Sequence, residues 1–82
     1  MNVPKAQTFY IDGQVKNPGP LIWEPRLTVQ QAIILAGGLT ERGSDRGVKV
    51  TRVIKGKPEE VSVKLEDKVQ PDDIIHIRGR IF

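Results

Sequence analysis

The chain has 82 residues, with thirteen Lys and Arg against ten Asp and Glu for a net charge of +3, and it contains no cysteine. That length suits one small domain and is too short for two hydrophobic cores, while the mild positive charge suits anionic partners without requiring them. The lack of cysteine removes thiolate catalysis, disulfides, iron–sulfur ligation and cysteine zinc sites together.

Met1–Gln7 shows no periodicity and is expected as a flexible tail ahead of a single domain at residues 8–82. It lacks the apolar stretch of a signal peptide, and no later run approaches the roughly 18 apolar residues of a membrane helix. If the protein is exported, this sequence is expected to be an excised piece of a longer chain. Thr8–Asp12, TFYID, is β-branched and aromatic, with Phe9 and Ile11 on one face and Tyr10 and Asp12 on the other, and predicts a first strand. Asp12-Gly13 suits a tight turn, but QVKNPGP follows before the next apolar run, so a longer connection is expected. Pro18 and Pro20 fix φ and remove donors, which suits a rigid edge or loop. LIWE, Leu21–Glu24, predicts a short second strand ended by Pro25.

RLTVQQAIILAGGLTE, Arg26–Glu41, carries the clearest local signal. Thr28 can cap a helix while Gln31 reaches back to its backbone N–H, and Gly37 can take the left-handed position that ends it. The helix is expected from about Val29 to Ala36, with Val29, Ala32, Ile33 and Ala36 as its sheet-facing stripe. Ile34 and Leu35 fall to either side of that stripe. Two large apolar groups there predict a helix sunk deep in its sheet or a second surface covering it.

After the turn signal SDRG, VKVTRVI predicts a strand from Val48, with a bulge near Arg52 to repair its broken alternation. KGKP, Lys55–Pro58, joins it as a hairpin to EEVSVKL, whose Val61, Val63 and Leu65 share a face. VQPDD is a turn led by Pro71, and IIHIR, Ile74–Arg78, is continuous enough in apolar residues to be a buried central strand. Strand, strand, helix, strand, strand, strand, with the last strand central, is the order of a β-grasp. The fold class predicted is thus α+β, a mixed sheet of about five strands with one helix across it.

Catalytic signals are weak. His76, or the pair Asp72 and Asp73, could act as a base, and Ser44, Ser62 or a threonine as a nucleophile, yet none has a partner at a diagnostic spacing. A structural histidine in the central strand and a turn-forming acidic pair are the preferred readings. Gly37-Gly38 follows a helix, whereas a phosphate loop precedes one, so these glycines read as a helix stop. Arg42, Arg46, Lys49, Arg52, Lys55 and Lys57 cluster in sequence, but Lys49 and Arg52 project to opposite faces of a regular strand. The helix is also uncharged, so nucleic acid is not expected. Trp23 either closes the bottom of the core or offers a platform to a flat apolar partner, with Asp12, Gln14 and Asn17 as candidate polar neighbours in a ligand site. No cofactor or metal is expected, and the protein is expected not to be an enzyme.

YIDGQVKNPGP approximates the run VxGxVxxPG, and LTVQQAIILAGGLTE and VQPDDIIHI follow in the same order and at similar spacing. Together they resemble the soluble ligand-binding β-grasp (SLBB) domain found in the periplasmic part of Wza-like outer-membrane polysaccharide export proteins. The resemblance runs from about Phe9 to Ile77. It implies a β-grasp module, often in tandem, within a secreted lipoprotein that assembles into a ring through which capsule or exopolysaccharide leaves the cell. It carries no catalytic residues. Gly13, Pro18 and Gly19 match the family's hairpin motif; Leu27, Thr28, Ala32 and Ala36 to Gly38 match the helix and its stop; Gln70, Pro71 and Asp73 match the turn before the last strand. The family usually has glycine where Asp72 stands, a place aspartate can fill because it tolerates a left-handed turn. The expected partners are neighbouring domains and subunits of an export ring, packed on Ile34 and Leu35, and a polysaccharide. Contact with a membrane is expected only through other parts of the full-length protein. The alternatives are a free-standing saccharide-binding module and a DNA-binding module.

Overall fold

A computed structural model describes residues 7–79. Residues 1–6 of the tail expected at Met1–Gln7, and Arg80, Ile81 and Phe82 at the C-terminus, lie outside them. Six elements follow in order: β1 (Thr8–Gly13), β2 (Gly19–Ile22), α1 (Val29–Leu35), β3 (Lys49–Ile54), β4 (Lys57–Ser62) and β5 (Ile74–Ile77). The strands form one mixed sheet in the order β2-β1-β5-β3-β4, with β1 and β5 parallel and the other pairs antiparallel. This is an α+β fold with a β-grasp arrangement, and β5 is central as the sequence predicts.

The helix is set by local chemistry at both ends. Gln31 N–H donates to the Thr28 hydroxyl and Thr28 N–H to the Gln31 side-chain carbonyl, completing a capping box. Val29 and Gln30 N–H donate to the carbonyls of Asp67 and Leu65, so the first turn is satisfied by the loop that follows β4. At the other end Gly37 has φ 85, and Gly37 and Gly38 N–H return to the carbonyls of Ile34 and Ile33. That is the left-handed helix stop that glycine permits. The stripe Val29, Ala32, Ile33 and Ala36 is buried against Phe9 and Ile11 of β1, Val50 of β3, and Ile75 and Ile77 of β5. Val15, Leu27, Val48 and Val69 close the core from the loops.

Several expectations shift. β2 is Gly19–Ile22 rather than Leu21–Glu24, so Pro20 lies within a strand, but one at the sheet edge where its missing N–H costs no central ladder bond. β4 is Lys57–Ser62 rather than Glu59–Leu65; Val63 and Leu65 leave the ladder yet still pack against the core with Val61. A two-residue turn joins β3 to β4, with positive φ at both Lys55 and Gly56. No bulge occurs near Arg52, because all six residues of β3 pair one to one with β4. The uncertain alternation resolves differently, with Val53 left 65% exposed. In β5 only Ile75 and Ile77 are buried, since one helix covers one face of the sheet and Ile74 and His76 point to the other.

The start of β5 is held by a buried ion pair. The Asp73 side chain is 1% exposed and accepts from Arg52 Nε and Nη2 at 3.0 and 2.8 Å and from Gln70 N–H at 2.8 Å. The hydrogen bond that Arg52 donates to Asp73 raises the Arg52 pKa above its ordinary value against the opposing effect of burial, with the charges of Asp73 and Asp67 adding to it. Asp72, at φ 67, supplies the left-handed turn just before it. Trp23 is half-buried against the core at this same end of β1, its backbone N–H donating to the Gln7 carbonyl and its indole N–H to the Val69 carbonyl at 2.6 Å.

Arg52→Met should lower unfolding free energy by about 3–5 kcal/mol, because it strands a buried carboxylate. The double variant Arg52→Met, Asp73→Leu should recover part of that loss; urea denaturation of the three proteins reads both effects. Trp23→Ala should cost about 3 kcal/mol by lost packing, and Trp23→Phe about 1 kcal/mol, the scale of the single hydrogen bond to Val69.

Candidate functional site

The segment Gly13–Gly19 is a loop docked on the end of the helix. Gly13 has φ 94, and a Cβ there would collide with the Ile77 carbonyl oxygen of β5, so only glycine lets β1 and β5 part at this point. Val15 then turns into the core and bridges Leu39, while Lys16 and Asn17 N–H donate to the carbonyls of Gly38 and Ala36. A Cβ on Gly37 would come within 2.6 Å of Asn17 Nδ2 and 3.2 Å of Lys16 Cβ. The first and second family motifs are therefore two sides of one contact. Pro18 is exposed and Gly19, at φ 144, opens β2.

The four candidate ligand residues do not converge. Asp12 stands on the open face of the sheet beside His76, and Gln14 turns the other way, its side-chain carbonyl accepting from the Thr40 hydroxyl at 3.0 Å. Asn17 is exposed at the helix C-terminus. Trp23 N–H pairs with the Gln7 carbonyl, five residues along β1 from Asp12, or roughly 17 Å at strand rise. The cationic run disperses likewise. Lys49 faces the open side, Arg52 is spent on Asp73, Lys55 occupies the hairpin turn, and Arg42 and Arg46 lie in the loop after the helix. No single basic face forms from these residues.

Two surfaces do form. On the helix side, Ile34 and Leu35 are 65% and 55% exposed. With Glu24, Leu27 and Gln31 they line a groove of about 250 Å³. Through Glu24 and Leu35 it continues into a hollow of about 480 Å³ with Pro20, Leu21 and Ile22. On the open sheet face, strand pairing brings together three residues far apart in sequence. His76 Nδ1 lies 2.9 Å from Asp12 Oδ1, and His76 Nε2 lies 2.9 Å from the Thr51 hydroxyl. An ionised Asp12 can only accept, so Nδ1 donates to it, and the direction of the Nε2–Thr51 hydrogen bond follows from the protonation of the ring.

His76 has no partner at a diagnostic spacing in the sequence because Asp12 and Thr51 reach it only through the parallel β1–β5 and antiparallel β3–β5 registers. The order hydroxyl, imidazole, carboxylate is that of a nucleophile activated by a general base. Acyl transfer also needs paired N–H groups aimed at a developing oxyanion, whereas the main chain around these residues lies in sheet ladders. Among the described residues no group of three His, Asp or Glu side chains is placed to hold a metal ion.

No curated protein matches the chain. The SLBB domain family matches it over residues 8–63, which include the docked loop, the capped helix and its double-glycine stop, and the β3–β4 hairpin. With that match and the β-grasp sheet around it, this chain belongs to the SLBB family, the soluble ligand-binding β-grasp modules.

Proposed function

We propose that this domain is a non-catalytic module of a bacterial capsule or exopolysaccharide export protein, working in the periplasm by packing against neighbouring domains and subunits around a passing glycan. Family membership supports the module, and the three motifs shared with export proteins support the setting. The observation that carries the assembly role is the exposure of Ile34 and Leu35 beside the groove. The helix commits Val29, Ala32 and Ile33 to the core and exposes Gln30 and Gln31 beside Ile34 and Leu35, so these two large apolar side chains lie outside the core. An apolar strip that continues onto Pro20, Leu21 and Ile22 of the edge strand marks a surface that is covered in the assembled protein.

No helix among the described residues is long and apolar enough to cross a membrane. In this proposal membrane attachment belongs to other parts of a longer chain. The scattering of Arg42, Arg46, Lys49, Arg52, Lys55 and Lys57 favours this role over DNA binding, which requires a basic stripe that tracks phosphates.

Ile34→Asp and Leu35→Asp in the full-length protein should leave the domain folded, since both side chains are exposed, yet abolish ring assembly. Electron microscopy of purified particles, with circular dichroism of the isolated domain as control, reads both. Normal rings from both variants would overturn the assembly role.

A further inference from the structure

The open face of the sheet is built differently from the groove. The register places Pro20, Tyr10, Ile74 and Thr51 in one row across β2, β1, β5 and β3, and Asp12, His76 and Lys49 in the next. Rows on one face are about 6.7 Å apart along the strands, and neighbours within a row about 4.8 Å. The first row is an apolar platform in which Tyr10 is 47% exposed. The second is a comb of carboxylate, imidazole and ammonium groups, of which Asp12 is 45% and His76 33% exposed.

The comb is held in place. His76 uses both ring nitrogens, one on Asp12 and one on Thr51, so three side chains on three strands fix one another's rotamers. Capacity remains for a ligand in the second carboxylate oxygen of Asp12, the lone pairs of Thr51 and the ammonium of Lys49. An exposed aromatic ring bordered by fixed donors and acceptors matches a pyranose, which presents an apolar C–H face inside a rim of hydroxyls.

Charge and layout select among occupants. Glu60 stands opposite Thr51, so Asp12 and Glu60 outweigh Lys49 on this face, which opposes an anionic polymer. The other large apolar side chains of the face, Ile22 and Val53, belong to different strands, and Thr8 and Asp72 lie in the row between them. The longer apolar strip that a protein partner wants runs instead from Ile34 and Leu35 of the helix to Leu21 and round the β2 edge, where it meets Pro20 and Ile22. We infer that the open sheet face, centred on Tyr10 and the Asp12–His76–Thr51 chain, binds a neutral hexopyranose segment of a glycan, with Tyr10 as the stacking ring and Asp12 and Lys49 as hydroxyl partners. The source of that glycan rests on the export reading above.

The test is an amide NMR titration of the 82-residue chain with neutral gluco-, galacto- and manno-oligosaccharides, with oligogalacturonate and a DNA oligomer as anionic arms. Shifts should cluster on Tyr10, Asp12, Thr51, Ile74 and His76 with at least one neutral sugar and resist added salt. Tyr10→Ala should weaken that binding roughly tenfold or more, Tyr10→Phe should retain it, and both spectra should stay folded. Absence of shifts with every neutral sugar would overturn the site. So would shifts centred on Trp23 or on Ile34 and Leu35, a preference for an anionic arm, or full binding by Tyr10→Ala. The export reading fails separately: neutral-sugar binding at Tyr10 together with normal rings from the Ile34 and Leu35 variants would keep the site and discard the assembly role.

Discussion

The Asp73 carboxylate is the constraint on which the sheet depends. It accepts from Arg52 on β3 and from its own turn at Gln70, while its backbone carbonyl accepts from Tyr10 on β1. One residue thus ties the start of the central strand to both of its neighbours. A buried pair of this kind contributes little net stability compared with apolar packing, but a one-sided version is very unfavourable. Registers that leave Asp73 without Arg52 are strongly disfavoured. Register matters here because a slip of one residue would exchange Ile75 and Ile77 for Ile74 and His76 in the core. The Asp12–His76–Thr51 chain on the open face therefore follows from an ion pair on the opposite, helix-facing side of the sheet.

Fixing the sheet in this way leaves the molecule with two unlike surfaces. A single short helix covers one face, and its own outer flank supplies Ile34, Leu35 and the groove toward β2. Among the described residues nothing covers the other face, which is neither wholly apolar nor wholly charged. It combines Tyr10 and Ile74 with a locked polar row. A module that packs against neighbours through one surface and meets a glycan with another needs such a division, since a residue buried in an assembly interface cannot also touch a ligand.

The family's short motifs acquire a physical meaning in the contact between the loop Gly13–Gly19 and the end of the helix. Gly13 allows the loop to leave β1 against the Ile77 carbonyl, and Gly37 allows Lys16 and Asn17 to approach the helix end. In return, Asn17 N–H satisfies the carbonyl of Ala36, one of the acceptors a helix terminus leaves open. Polar residues in this loop therefore serve the fold first. Gln14 is turned to Thr40, and Trp23 belongs to the opposite end of β1, where its indole N–H closes on Val69.

Local signals in the sequence determined the elements whose cause is local. The Thr28–Gln31 box, the Val29, Ala32, Ile33 and Ala36 stripe, the Gly37 stop and the alternation of Phe9 and Ile11 each depend on residues within about one turn or one strand, and all of them read directly. The central place of β5 was legible as well, from an apolar run too continuous for an edge. Tertiary structure alone decided the rest. Nothing near Arg52 in sequence names Asp73 as its partner, so its broken alternation suggested a bulge where the chain instead buries an ion pair. His76 looked solitary because its partners come from strands 64 and 25 residues away. Trp23, Asp12, Gln14 and Asn17 are near in sequence, yet an extended β1 separates Asp12 from Trp23 and sends the loop residues to the helix end. A site assembled across a sheet is fixed by strand order and register, and both are long-range properties that no short window of residues contains.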